Sequence, residues 1–182
     1  MIRTIGLLEL NSIARGIETA DFMLKAAEVS LLRANSICPG KYIVLISGDV
    51  GAVKASIEVG LEIGKEYVVD SLVLPSVHPQ LIKAINGTTE LDELRALGVL
   101  EFFSIATSIV AADTAAKAAL IDLIELRLGF AIGGKAFITL TGDVSAVREA
   151  IEAGARVGEE TGMLVNKVVI PSPRKELLDE LM

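Results

Sequence analysis

The 182-residue sequence predicts an α/β (α+β) protein built from two tandem domains, each a split βαββαβ, ferredoxin-like arrangement. Two observations predict it. The chain repeats itself: Gly6, Leu8, Glu9, Ser12, Ile13 and Ala14 recur as Gly98, Leu100, Glu101, Ser104, Ile105 and Ala106, a shift of 92. Within each half, apolar strand-like runs alternate with Ala-rich segments of helical spacing in one fixed order.

The elements follow in sequence. Residues 5–10 and 97–102 alternate as strands, and an Ala-rich helix follows, with Ile13, Ile17, Ala20 and Leu24 at helical spacing in the first half. The same shift carries Ala20-Asp21 onto Ala112-Asp113 and Lys25-Ala26-Ala27 onto Lys117-Ala118-Ala119. Second strands are expected over 30–34 and 122–128, then a Gly-containing loop, then β-branched third strands over 41–47 and 135–141. Beyond a two-residue insertion the shift is 94, pairing Arg33 with Arg127, Cys38 with Ile132, and Gly40-Lys41 with Gly134-Lys135. Gly48-Asp49 and Gly142-Asp143 make the next turn, each Asp placed to cap the following helix with its carboxylate. Last strands over 69–74 and 164–170 end at Pro75 and Pro171, each trailed by a short helix. The domains read as 4–86 and 96–182, with 87–95 as a polar linker.

Composition narrows the function. Hydrophobic residues are 52% of the chain and charged ones 23%, which supports a folded core and excludes disorder. A net charge of −7, with 4% aromatics and no Trp, excludes the basic field and stacking platform of a nucleic-acid binder. Mean hydropathy is +0.57, yet no apolar run reaches the length of a membrane span. The N-terminus reads directly as a strand with no signal-peptide core, so the expected location is cytoplasmic, away from any membrane.

Conventional catalysis is poorly supplied. The single histidine, His78, sits between Val77 and Pro79 just after a strand and reads as structural. Glu9 and Glu101 occupy equivalent strand positions, and their repetition points to a scaffold role rather than a carboxylate pair for catalysis. The stretches Cys38-Pro39-Gly40-Lys41 and Ile132-Gly133-Gly134-Lys135 lead into strands, whereas a phosphate cradle leads into a helix. No nucleophile triad, flavin fingerprint or nicotinamide fingerprint is present, and the chain reads as a non-enzyme. The one cysteine, Cys38, excludes an internal disulfide and any site built from several thiolates of one chain.

The strand G-x-x-E, the helix A-D-x-x-x-K-A-A, the G-K turn, G-D-V-x-A-V and the strand ending in Pro occur in both halves. Together they resemble the shell proteins of bacterial microcompartments, in their tandem-domain trimeric class. Residues 37–41 and 130–135 resemble the propanediol-utilisation branch of that class. The resemblance implies a homotrimer of pseudo-hexagonal outline that tiles a shell in the cytoplasm beside other shell proteins, with encapsulated redox enzymes as further partners. It places Ser36, Ile37, Cys38, Pro39 and Gly40, and Phe130, Ala131, Ile132, Gly133 and Gly134, at a central pore. It assigns Lys25 and Lys117 to the assembly edge, and it finds Ser76 and Ser172 where that family has an edge arginine. It further implies that Cys38 from three chains holds a [4Fe–4S] cluster for electron transfer across the shell, with a zinc site or a free pore thiol as the other outcomes. The contrasting function class is a small-molecule-binding regulatory protein, since tandem ferredoxin-like domains also serve as sensors.

Overall fold

The computed structural model describes residues 4–91 and 93–179. The start of the N-terminal strand reading, one linker residue and the last three residues of the second domain lie outside the described residues. In the first half, β1 (Thr4–Leu10) leads through α1 (Ile13–Ala26) to β2 (Ser30–Ile37) and β3 (Lys41–Gly48). Helix α2 (Val50–Gly64), a single 3-10 turn, β4 (Val68–Pro75) and α3 (Gln80–Asn86) follow. The second half repeats the order as β5 (Ala96–Phe102), α4 (Ile105–Ala118), β6 (Ile121–Leu128), β7 (Ala136–Gly142), α5 (Val144–Thr161), β8 (Leu164–Ile170) and α6 (Lys175–Asp179).

Each half forms one antiparallel four-stranded sheet, in the orders β2-β3-β1-β4 and β6-β7-β5-β8. This is the predicted βαββαβ topology, written twice. Leu8, Leu10, Val44 and Ile46 from the sheet meet Ala20, Met23, Val53 and Ile57 from α1 and α2 in the first core. Removing these side chains from water is the main stabilising term. The repeated glycines are explained by close approach. A Cβ on Gly6 would lie 2.8 Å from Val53 of α2, and one on Gly98 2.9 Å from Ile151 of α5, so only glycine lets these helices lie so near the central strands.

Three expectations change. The helix-capping carboxylates do not cap: Asp49 and Asp143 stand at the N-cap positions without a side-chain cap bond, and Asp143 is held instead by Arg95. The caps that form are serines, Ser12 accepting from the Arg15 N–H at 3.3 Å and Ser104 from the Thr107 N–H at 3.1 Å. The chain divides between Val77 and His78, so α3 belongs with the second unit, whereas the repeat placed it at the end of domain 4–86. The apolar stripe of α1 points outward: Ile13, Ile17 and Leu24 are exposed, and the buried positions are Gly16, Thr19, Ala20 and Met23.

Candidate functional site

The loop joining the second and third strands of each half is the candidate site, and the strand register shows how the two loops correspond. Leu31 pairs with Ile46 as Leu123 pairs with Leu140, and Ile37 pairs with Lys41 at the end of β2. The shift of 92 therefore holds through the whole of β2, and Arg33 matches Glu125, not Arg127. The two-residue insertion lies inside the loop. Residues 38–40 form a three-residue turn, while 130–134 span the same gap with five. Cys38 thus matches Ile132 only when counted back from the following lysine.

The short turn is closed by the Gly40 N–H donating to the Ile37 carbonyl at 2.9 Å, with Gly40 at φ +88. Ser36 and Ile37 belong to β2 rather than to the loop, and Ile37 is buried. Cys38 is half-buried with a free thiol, and Pro39 and Gly40 are exposed. The long turn needs left-handed backbone at Gly129, Ala131, Gly133 and Gly134, which explains its glycines. Its base is tied by the Gly129 N–H to the Lys135 carbonyl at 3.0 Å, and Phe130 stands exposed at its start.

Both loops rest on the same ion pair, which joins two motifs the sequence presents separately. Lys41 Nζ meets Glu9 Oε1 at 2.7 Å, and Lys135 meets Glu101 in the same way. Glu9 and Glu101 lie on central strands, so each pair anchors the foot of a loop to the middle of its sheet. The signal was present in the repeat, since G-x-x-E and G-K recur together. Joining them required the strand pairing.

Lys25 Nζ pairs with Asp21 at 2.5 Å, one helical turn earlier, and Lys117 pairs with Asp113 in the same geometry. Lys25 is well exposed; Asp113 is buried and also accepts the His78 N–H at 2.7 Å. His78 is structural, its Nδ1 accepting the Gln80 N–H at the start of α3. Ser76 and Ser172 are exposed. A surface depression of about 510 Å³ lies beside Ser12, Ala14, Arg15, Glu18 and Tyr67. Its charges are already engaged, Arg15 with Glu18 at 2.6 Å and over the Tyr67 ring. Among the described residues no group of three or more His, Cys, Asp or Glu could hold a metal within one chain, and no helix is long and apolar enough to cross a membrane.

Two sheets of one topology, each carrying a loop on an ion-paired foot, define a protein built from a duplicated module. The sequence matches the BMC domain family over residues 4–77 and 96–173, and the chain belongs to that family as a tandem-domain microcompartment shell protein. It is 42% identical over 182 residues to the bacterial microcompartment shell protein PduT of Citrobacter freundii, covering 100% of this chain and 99% of that one. It is 28% identical to the carboxysome assembly protein CcmO of Synechococcus elongatus, over 97% of this chain and 68% of the relative. A solved microcompartment protein from Desulfitobacterium hafniense superposes with a TM-score of 0.94 at 56% identity, covering 98% of this chain and 99% of that chain. Family membership decides for the structural class over the regulatory one.

Proposed function

We propose that the chain acts as a homotrimeric shell tile in the cytoplasm, six domains closing a ring with loops 38–40 and 130–134 around a central pore. Laterally, Lys25 and Lys117 join it to other shell proteins at the tile edge. Cys38 from three chains would together ligate a [4Fe–4S] cluster. One thiol per chain fits a shared group and no group held by one chain. The observation that carries the reading is the asymmetry of the loops. The half-buried thiol stands on the short turn only, followed by exposed Pro39 and Gly40. When bound, such a cluster supplies one-electron redox chemistry, suited to electron transfer across the shell or to redox enzymes inside it. The chain's own part is to hold the thiol at a fixed height through the Glu9–Lys41 foot and the closed turn.

Light scattering should report a trimer; a stable monomer at micromolar concentration overturns the tile. Anaerobic reconstitution with iron and sulfide should turn the trimer brown at about one cluster per three chains. Cys38→Ser should stay colourless and still assemble; colour kept by that variant places the cluster elsewhere. Replacing Lys25 and Lys117 by Ala should abolish extended sheets in electron micrographs while sparing the trimer, and unchanged sheets refute the edge assignment.

A further inference from the structure

The two units differ in what covers one face. In the second unit, α3 lies along the edge strand β6 and against α4. The Gln80 side chain grips that edge, donating from Nε2 to the Ile121 carbonyl and to Asp122 Oδ1, both at 3.1 Å, and accepting the Leu123 N–H at 2.9 Å. Leu81 is fully buried, and on the covered face Ile105, Ile109 and Leu123 are at most 1% exposed. The equivalent residues of the first unit, Ile13, Ile17 and Leu31, are 42%, 55% and 45% exposed. Contiguous exposed apolar side chains mark a surface for association.

The chain also carries a second copy of the covering segment. Leu74 pairs with Ile5 as Ile170 pairs with Leu97, and the same register matches Arg174, Glu176 and Leu177 to His78, Gln80 and Leu81. Both segments make the same turn, the Leu81 N–H donating to the His78 carbonyl at 3.0 Å and the Leu177 N–H to the Arg174 carbonyl at 3.1 Å. Leu177 is nevertheless 43% exposed. Face and segment are both undocked in the single chain.

We propose that residues 171–179 of one copy dock on the α1–β2 face of a second copy, joining copies head to tail; the inference rests on the homotrimer reading and supplies its contact surface. The occupant is set by matched polar changes. Asp21 stands where Asp113 receives the His78 N–H, and so awaits the Arg174 N–H. Gln80 donates to Asp122, whereas Glu176 has no donor when ionised. The position facing it is Ser30, whose hydroxyl donates to a carboxylate, and the Leu31 N–H holds the register position of the Leu123 N–H that Gln80 accepts. Glutamate facing Asp122 would set two carboxylates together; facing Ser30 it gains a partner, so the segment discriminates between the two faces.

Sedimentation equilibrium on the full chain tests the pairing. Ser30→Asp sets a carboxylate against Glu176 and should weaken association about a hundredfold per interface. Adding Glu176→Gln recreates the Gln80–Asp122 pair and should restore assembly. Independently, Leu177→Asp, at a site exposed in the single chain, should dissociate the assembly with an unchanged circular dichroism spectrum. A parent that is oligomeric while Ser30→Asp has no effect, or while Glu176→Gln fails to rescue it, or while Leu177→Asp assembles normally, overturns the docking and leaves the trimer standing. A monomeric parent overturns both.

Discussion

Glu9–Lys41 and Glu101–Lys135 are one ion pair at one register in two surroundings. The Glu9 side chain is 4% exposed, and Glu101 is 32% exposed. Removing the lysine strands a desolvated carboxylate in the first unit, while water can reach the carboxylate in the second. The duplication preserves the contact, and burial sets its worth. The two halves of a repeat therefore carry the same motif at different energetic weight.

Breaking that comparison gives the largest expected effect. Lys41→Met should cost about 3 kcal/mol, the penalty of an unpaired buried charge, and Lys135→Met about 1 kcal/mol, measured by chemical denaturation. Equal losses would show that water reaches both sites alike. Next in size is the helix pair: Asp113→Ala removes a charge-assisted bond to the His78 N–H and should cost about 2 kcal/mol. Asp21→Ala, tested in a chain kept dissociated by Leu177→Asp, should cost less than about 0.5 kcal/mol because its pair with Lys25 is exposed.

A smaller effect sharpens the contrast between the loops. Ala131 holds φ +60 in the long turn, and Ala131→Gly should raise stability by up to about 1 kcal/mol, less the entropy glycine adds to the unfolded chain. The smallest concerns Lys167, whose pKa is raised above its ordinary value chiefly by its hydrogen bond to Glu152 and then by that to Glu159. A raised folded pKa stabilises below the unfolded pKa, and the gain is lost as pH rises through the folded value. Lys167→Met should therefore lower Tm only slightly at neutral pH, since both partners are exposed, and not at all in strongly alkaline buffer.

The repeat and the element order were legible in the sequence because identities and hydrophobic spacing carry them, whereas the short loop reads two residues too long because Ser36 and Ile37 extend β2. What escaped it depends on contacts far apart in the chain. Ile13, Ile17 and Leu24 show the right helical period, but period tells that a face is apolar and not what covers it; α4 buries the same stripe that α1 exposes. Asp49 and Asp143 have the residue type and place of caps, yet Arg95 competes for the second. Identity at Arg33 and Arg127 places the insertion before Arg33 in the sequence alone, whereas the register of the paired strands places it in the loop. The site residues divide likewise: Cys38 was found as a singular residue, whereas the Glu–Lys feet needed the sheet.

Confining the insertion to the turn has a consequence for design. Because the pairing of β2 with β3 from Arg33, and of β6 with β7 from Glu125, runs unbroken up to the loop, the fold treats the turn as an interchangeable cassette seated on a constant socket. Length and chemistry at the tip can vary without a slip in register that would turn core side chains toward water. Transplanting residues 38–40 in place of 130–134 would double the thiols that each chain presents while both sheets remain as they are.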